Sequence, residues 1–428
     1  MNSRKKISFF ILVSFFAVGL INAQNNQLEN WLSTVDGIEY QKIPHDSSLF
    51  DIAYEIMITQ PLDHKNPEAG EFRQQVFLSH TDKNAPMIMD TEGYAAKNRT
   101  LELSEILNAN QLVIEHRYFE DSVPDSLIWE YLTIEQSAAD HHRINQLFRE
   151  FYNGKWVSTG ISKGGQTTIF YRYFYPEDVD VSVPYVAPLN FSDADPRIHN
   201  FLKNIAGTDC RKKVLDFQKN LLIKRDSIQP LFEEYCTEND LKYTIGFDAA
   251  YEYSVLEYSF SYWQWGDGDC SKIPDEDGTA QTYFDEFDNY GIFSFIADEG
   301  TSTITPFYYQ AFTEIGFYDY DITPFSDLIK YVDGSNSIFY KDDWKLTFNT
   351  ELMYSVKRWL DENGNNFIYI YGELDPWTAT SVELSGETNS IKIVNPNGAH
   401  WTRIKHLPDD LRETVYSNLE NWLDISIN

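Results

Sequence analysis

The stretch Lys155 to Phe174, KWVSTGISKGGQTTIFYRYF, constrains the fold most. A short β-type run leads into Gly160-Ile161-Ser162-Lys163-Gly164, and a helix-like run follows at once. The G-x-S-x-G pattern serves a tight strand-to-helix turn, where small neighbours permit close backbone approach and a strained serine presents its hydroxyl outward. The first N–H groups of the helix, with that of Lys163 foremost, then face any oxyanion formed on a carbonyl that Ser162 attacks. Long chains produce the pattern by chance; the strand before it and the helix after it make it informative.

A nucleophilic serine needs a base. In an α/β-hydrolase the acid and then the histidine follow the serine in sequence, each on a loop after a late strand. Phe367 to Tyr371 (FIYIY) reads as a buried strand, and Gly372-Glu373-Leu374-Asp375-Pro376-Trp377 places Asp375 at its carboxyl end. Ile391 to Val394 (IKIV) reads as the next strand, and the turn-rich Asn395-Pro396-Asn397-Gly398-Ala399 leads to His400 at the same sheet edge. Pro408 to Leu423 closes the chain with helical apolar spacing. Taken singly, Asp375 is a common turn initiator and His400 a common loop histidine. The order Ser, Asp, His in matching contexts joins them into one candidate set.

Longer blocks carry a resemblance. Gln60-Pro61-Leu62-Asp63-His64 with Gly70 to Gln75, Glu115-His116-Arg117-Tyr118-Phe119, Glu135 to Asp140 and Leu374-Asp375-Pro376-Trp377 resemble a group of serine exopeptidases. These are peptidase family S37, the secreted bacterial prolyl tri/tetrapeptidyl aminopeptidase type, and the related prolyl carboxypeptidase family S28. Tyr309 to Tyr318 is similar to a block of the second branch but has Phe312 where that branch has Cys, so no disulfide carries over there. The resemblance implies an α/β-hydrolase fold with an inserted, mainly helical cap, a triad of Ser162, Asp375 and His400, and no cofactor. It also implies peptide substrates that lose short N-terminal peptides after proline. An esterase or lipase on the same scaffold, or a catalytically silent peptide-binding protein, is the alternative.

Composition bounds the rest. Met1 to Ala23 has a basic start and an apolar core too short for a full membrane span, which predicts a signal peptide cut after Ala23 and a protein that is periplasmic or secreted. With 66 acidic against 34 basic side chains and a formal charge of −32, the chain would repel phosphate backbones and anionic lipid. Nucleic acid and membrane surfaces are therefore not expected partners. The three cysteines, Cys210, Cys236 and Cys270, allow one disulfide whose partners the spacing leaves open, and none has metal-ligand spacing. The expected division is a hydrolase domain over 24–192 and 345–428 with a helical cap over 193–344.

Substrate contacts are read from residue type. Trp263, Trp265, Tyr309 and Trp377 are the aromatic candidates for holding a proline ring, whose flat apolar faces suit it. Glu92 and Glu314 are the candidates for a free α-ammonium. The loop after Met87 to Thr91 also stands where the second oxyanion donor is supplied in this fold, through the N–H of Gly93 or Tyr94.

Overall fold

The computed structural model describes residues 26–341, 344 and 346–427. The signal-peptide reading of residues 1–23 lies outside the described residues. The strands are β1 Ile38–Ile43, β2 Ile52–Pro61, β3 Glu71–His80, β4 Met87–Thr91, β5 Asn110–Ile114, β6 Trp156–Ile161, β7 Val181–Tyr185, β8 Ile368–Gly372 and β9 Ile391–Asn395. They form one sheet in the order β1-β2-β3-β5-β4-β6-β7-β8-β9. Pairing is antiparallel from β1 to β5 and parallel from β5 through β4 to β9.

The strand sequences follow that division. β2 alternates, with Tyr54, Ile56 and Ile58 buried and Glu55 turned outward, as a strand with one covered face does. β4, β5, β7 and β8 are buried at every position because helices cover both faces. The helices of eight or more residues are α1 Ile134–Arg149, α2 Lys163–Phe174, α3 Pro196–Asn204, α4 Thr208–Ile223, α5 Arg225–Glu238, α6 Phe247–Trp265, α7 Ala280–Phe287, α8 Thr350–Asn363 and α9 Asp409–Leu423. On one face Ala138, Ile144 and Phe148 of α1 pack with Met87, Met89 and Trp156. On the other, Val415, Leu419 and Leu423 of α9 pack with Ile88, Val157, Val181 and Ile368. A parallel sheet with an antiparallel edge, helices on both faces and a strand–serine–helix turn on an interior strand is the α/β-hydrolase fold.

The sequence blocks around Arg117 and Asp140 are scaffolding. The fully buried Arg117 grips Asp140 with two bonds, Nε to Oδ2 at 2.7 Å and Nη2 to Oδ1 at 2.8 Å. It also donates to the carbonyls of Leu62 and Tyr131, while His64 Nε2 lies 2.7 Å from Asp140 Oδ1. A buried ion pair is tolerable only when its remaining donors are satisfied, and here they tie the β2–β3 hairpin, the exit of β5 and α1 into one unit.

Between β7 and β8 the chain leaves the sheet through α3 to α7 and several shorter helices, returning through α8. This insertion shares a hydrophobic cluster with the sheet layer: Ile169 and Phe170 of α2 and Tyr369 and Tyr371 of β8 pack with Phe217, Tyr251 and Phe293. One disulfide joins Cys210 in α4 to Cys270 just beyond α6, and Cys236 remains a buried thiol.

Candidate active site

Ser162 sits in the turn between β6 and α2 with φ 57° and ψ −120°, a conformation that costs a non-glycine residue about 1–3 kcal/mol. Its N–H donates to Tyr185 O and its carbonyl accepts from Gln166 N–H, both at 2.9 Å, so the turn is held from β7 and from the helix. Glycine is required beside it. A Cβ on Gly160 would stand 2.2 Å from Gly164 O, and one on Gly165 2.7 Å from Ala187 Cβ. The loop after β4 presses on the same place, since a Cβ on Gly93 would lie 2.6 Å from both Gly164 N and Lys163 Cβ.

Two late loops bring the acid and the imidazole together. Leu374 N–H donates to Gly398 O at 2.7 Å, and Gly372 is bare because a Cβ there would meet the carbonyls of Gly398 and Ala399 at 2.5 Å. Asp375, fully buried, accepts from Trp377 N–H at 3.1 Å through Oδ1 and faces His400 Nδ1 at 2.7 Å through Oδ2. That contact puts the ring proton on Nδ1 and leaves the Nε2 lone pair for a hydroxyl. The imidazole is braced from above. His400 N–H donates to Gln264 O at 3.0 Å, and Trp265 meets the ring edge-on at 5.1 Å.

Ser162 and His400 border one cavity of about 730 Å³, within the usual size of ligand pockets. No hydrogen bond joins Ser162 Oγ to His400 among the described residues. A positioned hydroxyl, an imidazole with a free Nε2 and a buried carboxylate can together carry acyl transfer. Glu92, Tyr94, Lys163, Trp265 and Trp377 also line the cavity. Three other sequence-derived candidates lie elsewhere. Trp263 is on the far side of α6, against a second cavity of about 450 Å³. Tyr309 packs on Trp129 and Trp344 at 5.2 and 5.4 Å. Glu314 accepts from Ile134 N–H at 2.8 Å and so caps α1, with burial pushing its carboxyl up to about 7. Each misplacement is one of helix phase: the residue type is right for a subsite, but the side of the element that carries it is not.

The sequence reading missed Glu257. On α6, Glu257, Phe260, Ser261 and Gln264 follow i, i+3, i+4, i+7 spacing and face the cavity together. Glu257 accepts from Ser261 Oγ at 2.6 Å and from the hydroxyls of Tyr318 and Tyr320 at 2.8 and 3.0 Å. Burial nevertheless pushes its carboxyl up to about 7, and no cation pairs with it among the described residues. Glu92 differs, because Arg99 bridges it to the buried Asp90. Asp90 is itself driven well up by burial and by Glu92, against the pull of Arg99. A sequence signal for Glu257 existed: an acid inside the otherwise apolar and aromatic run YSVLEYSFSYW. Among the described residues no cluster of three or more His, Cys, Asp or Glu could hold a metal ion, and no helix is long and apolar enough to cross a membrane.

The fold and the family match together make this chain a serine peptidase of the α/β-hydrolase type. The family profile of PS-10 peptidase S37 matches residues 38–427, and the chain belongs to that family. Prolyl tri/tetrapeptidyl aminopeptidase of Streptomyces mobaraensis is 31% identical over 378 residues, which is 86% of this chain and 79% of that relative. Among solved structures, proline iminopeptidase of Mycobacterium smegmatis overlaps with a TM-score of 0.43 at 12% identity, covering 86% of this chain and 98% of its own. Epoxide hydrolase A of Mycobacterium thermoresistibile gives 0.38 at 10%, covering 85% and 98%.

Proposed function

We propose that the protein is an exported prolyl aminopeptidase that releases tri- or tetrapeptides from the N-terminus of its substrates, with Ser162, His400 and Asp375 as its triad. Ser162 Oγ attacks the scissile carbonyl as His400 Nε2 takes its proton, and the imidazolium formed is stabilised by Asp375. The proton then passes to the leaving amine, whose departure gives an acyl-enzyme, and water repeats the sequence to free the product. The family and the name of the Streptomyces mobaraensis relative support the peptide class and the proline preference. The rings of Tyr94, Phe307, Phe317 and Trp377 around the cavity suit a proline, which has no N–H to satisfy.

The observation that carries the choice of end is Glu257. A buried carboxylate with three hydroxyl donors and no cation, in the same cavity as Ser162 and His400, is complementary to a free α-ammonium. Export rests on the composition of Met1 to Ala23, and the Cys210–Cys270 disulfide fits an oxidising compartment.

Two measurements test the reading. The first incubates the protein with a mixed peptide library and reads the fragments by mass spectrometry; short N-terminal fragments ending in proline are expected, and internal or C-terminal cuts would refute it. The second treats the wild type and Ser162→Ala with a fluorophosphonate. The wild type should be modified at Ser162 and hydrolyse peptides, whereas Ser162→Ala should stay folded, unlabelled and at least about 10³-fold slower.

A further inference from the structure

Lys163 takes part in the site twice. Its N–H opens α2 directly behind Ser162. Its side chain, only 3% exposed, turns under the 92–94 loop, where Nζ donates to Gly93 O at 2.7 Å. There it lies over the rings of Tyr94 and Phe119, 5.7 and 5.6 Å from their centroids. Burial drives its ammonium well below the ordinary lysine range, an expense that an apolar side chain at the same position would avoid.

The Gly93 contact gives that lysine a task. A trans peptide unit points its C=O and its N–H in opposite directions, so a donor fixed on Gly93 O aims the Tyr94 N–H away from the lysine head. Among the described residues that N–H has no acceptor, and Tyr94 borders the cavity with Ser162. Three neighbouring backbone groups are already tied down. Glu92 N–H donates to Ile114 O at 3.2 Å, His116 N–H to Tyr94 O at 3.1 Å and Ala96 N–H to Glu115 Oε2 at 2.9 Å. The Gly93–Tyr94 peptide is left to be oriented from below.

We infer that the Lys163 side chain is a positioning residue: through its bond to Gly93 O it orients the Tyr94 N–H as the second oxyanion donor, beside the Lys163 N–H. The inference rests on Ser162 being the nucleophile. One amino acid then supplies one donor from its backbone and aims the other with its side chain, coupling the elbow to the loop opposite. Of the two N–H groups considered for that role, the lysine bond bears on Tyr94, whose N–H belongs to the same peptide as Gly93 O.

The test compares the wild type with Lys163→Met, which keeps length and apolar packing but removes the donor, and with Lys163→Arg, which restores one. Fluorophosphonate modification of wild-type Ser162 is the control, and its failure would sink the nucleophile reading and leave Lys163 aside. With the control satisfied, Lys163→Met should lower kcat about 10- to 100-fold with KM within about twofold, since an oxyanion donor acts only as charge develops. Its affinity for a peptidyl boroproline, which forms the tetrahedral adduct, should fall by the same factor as kcat/KM. Lys163→Arg should recover part of both. An unchanged kcat, a loss confined to KM, or boronate affinity that holds while kcat falls would overturn the assignment. If Lys163→Met does not fold, Lys163→Gln, whose shorter amide does not reach Gly93 O, is judged by the same criteria.

Discussion

A buried carboxylate with no counter-ion among the described residues is the least settled group in the cavity, and Glu257 is that group. Glu257→Gln should lower kcat/KM at least about tenfold for peptides with a free N-terminus, by removing a charge-assisted bond, and leave N-acetylated peptides nearly unaffected. Its pH signature has a definite sign. The folded-state pKa of about 7 is above the unfolded value near 4.5, so the native protein binds the extra proton. Stability is unaffected by this group below about pH 4.5, falls as pH rises to about 7, and stays lowered beyond it. Chemical denaturation should therefore show Glu257→Gln gaining on the wild type between pH 5 and 8, by up to about 3 kcal/mol; a gap that does not change with pH would show that the carboxyl is not raised. Asp375→Asn is expected to keep its turn but misplace the imidazole proton, lowering kcat by about 10⁴-fold at neutral pH. Retained turnover in that variant would place the acid elsewhere.

On the proposed reading, α6 links recognition to chemistry. Its inner side carries Glu257, Phe260, Ser261 and Gln264, and its end holds the backbone of His400 through Gln264 O. The Cys210–Cys270 bridge anchors the chain just past that end. It spans 60 residues, so opening it with Cys210→Ser should cost about 2–4 kcal/mol in urea unfolding, with unchanged stability arguing that the bridge constrains nothing. The same helix shows where sequence reading stops. The placement of Ser162, Asp375 and His400 in turns after β6, β8 and β9 was legible because each follows an apolar run near Gly or Pro, where the sheet edge is set by the chain's own punctuation. The strands at Phe367 and Ile391 were legible for the same reason. α6 is buried at every position from Ala250 to Trp263 except Ser259, with apolar rings on all sides, so periodicity gives no facing direction, and Trp263 could not be told from Trp265. Glu314 and Tyr309 were sound by residue type and wrong by side, because the contacts that claim them, Ile134 and Trp129, are distant in sequence.

The molecule as a whole is strongly acidic, although Arg99, Lys163 and Arg403 line its cavity beside Glu92 and Glu257. On the proposed reading a cationic peptide is drawn toward such a molecule, so its kcat/KM should fall several-fold as salt rises from about 0.01 to 0.5 M. An N-acetylated, uncharged analogue should show little change; equal salt response for both would remove long-range attraction from the account. The insertion and the sheet layer share a hydrophobic cluster, so the elements that line the cavity form one packed body. The central claim is that this body reads the N-terminus of a peptide, and one comparison tests it most directly: kcat/KM for a single proline-containing peptide in its free, N-acetylated and C-amidated forms. The account predicts that acetylation costs at least about tenfold, the loss of one charge-assisted bond to a buried acid, and that amidation changes little. A peptide crippled by amidation and indifferent to acetylation would contradict it.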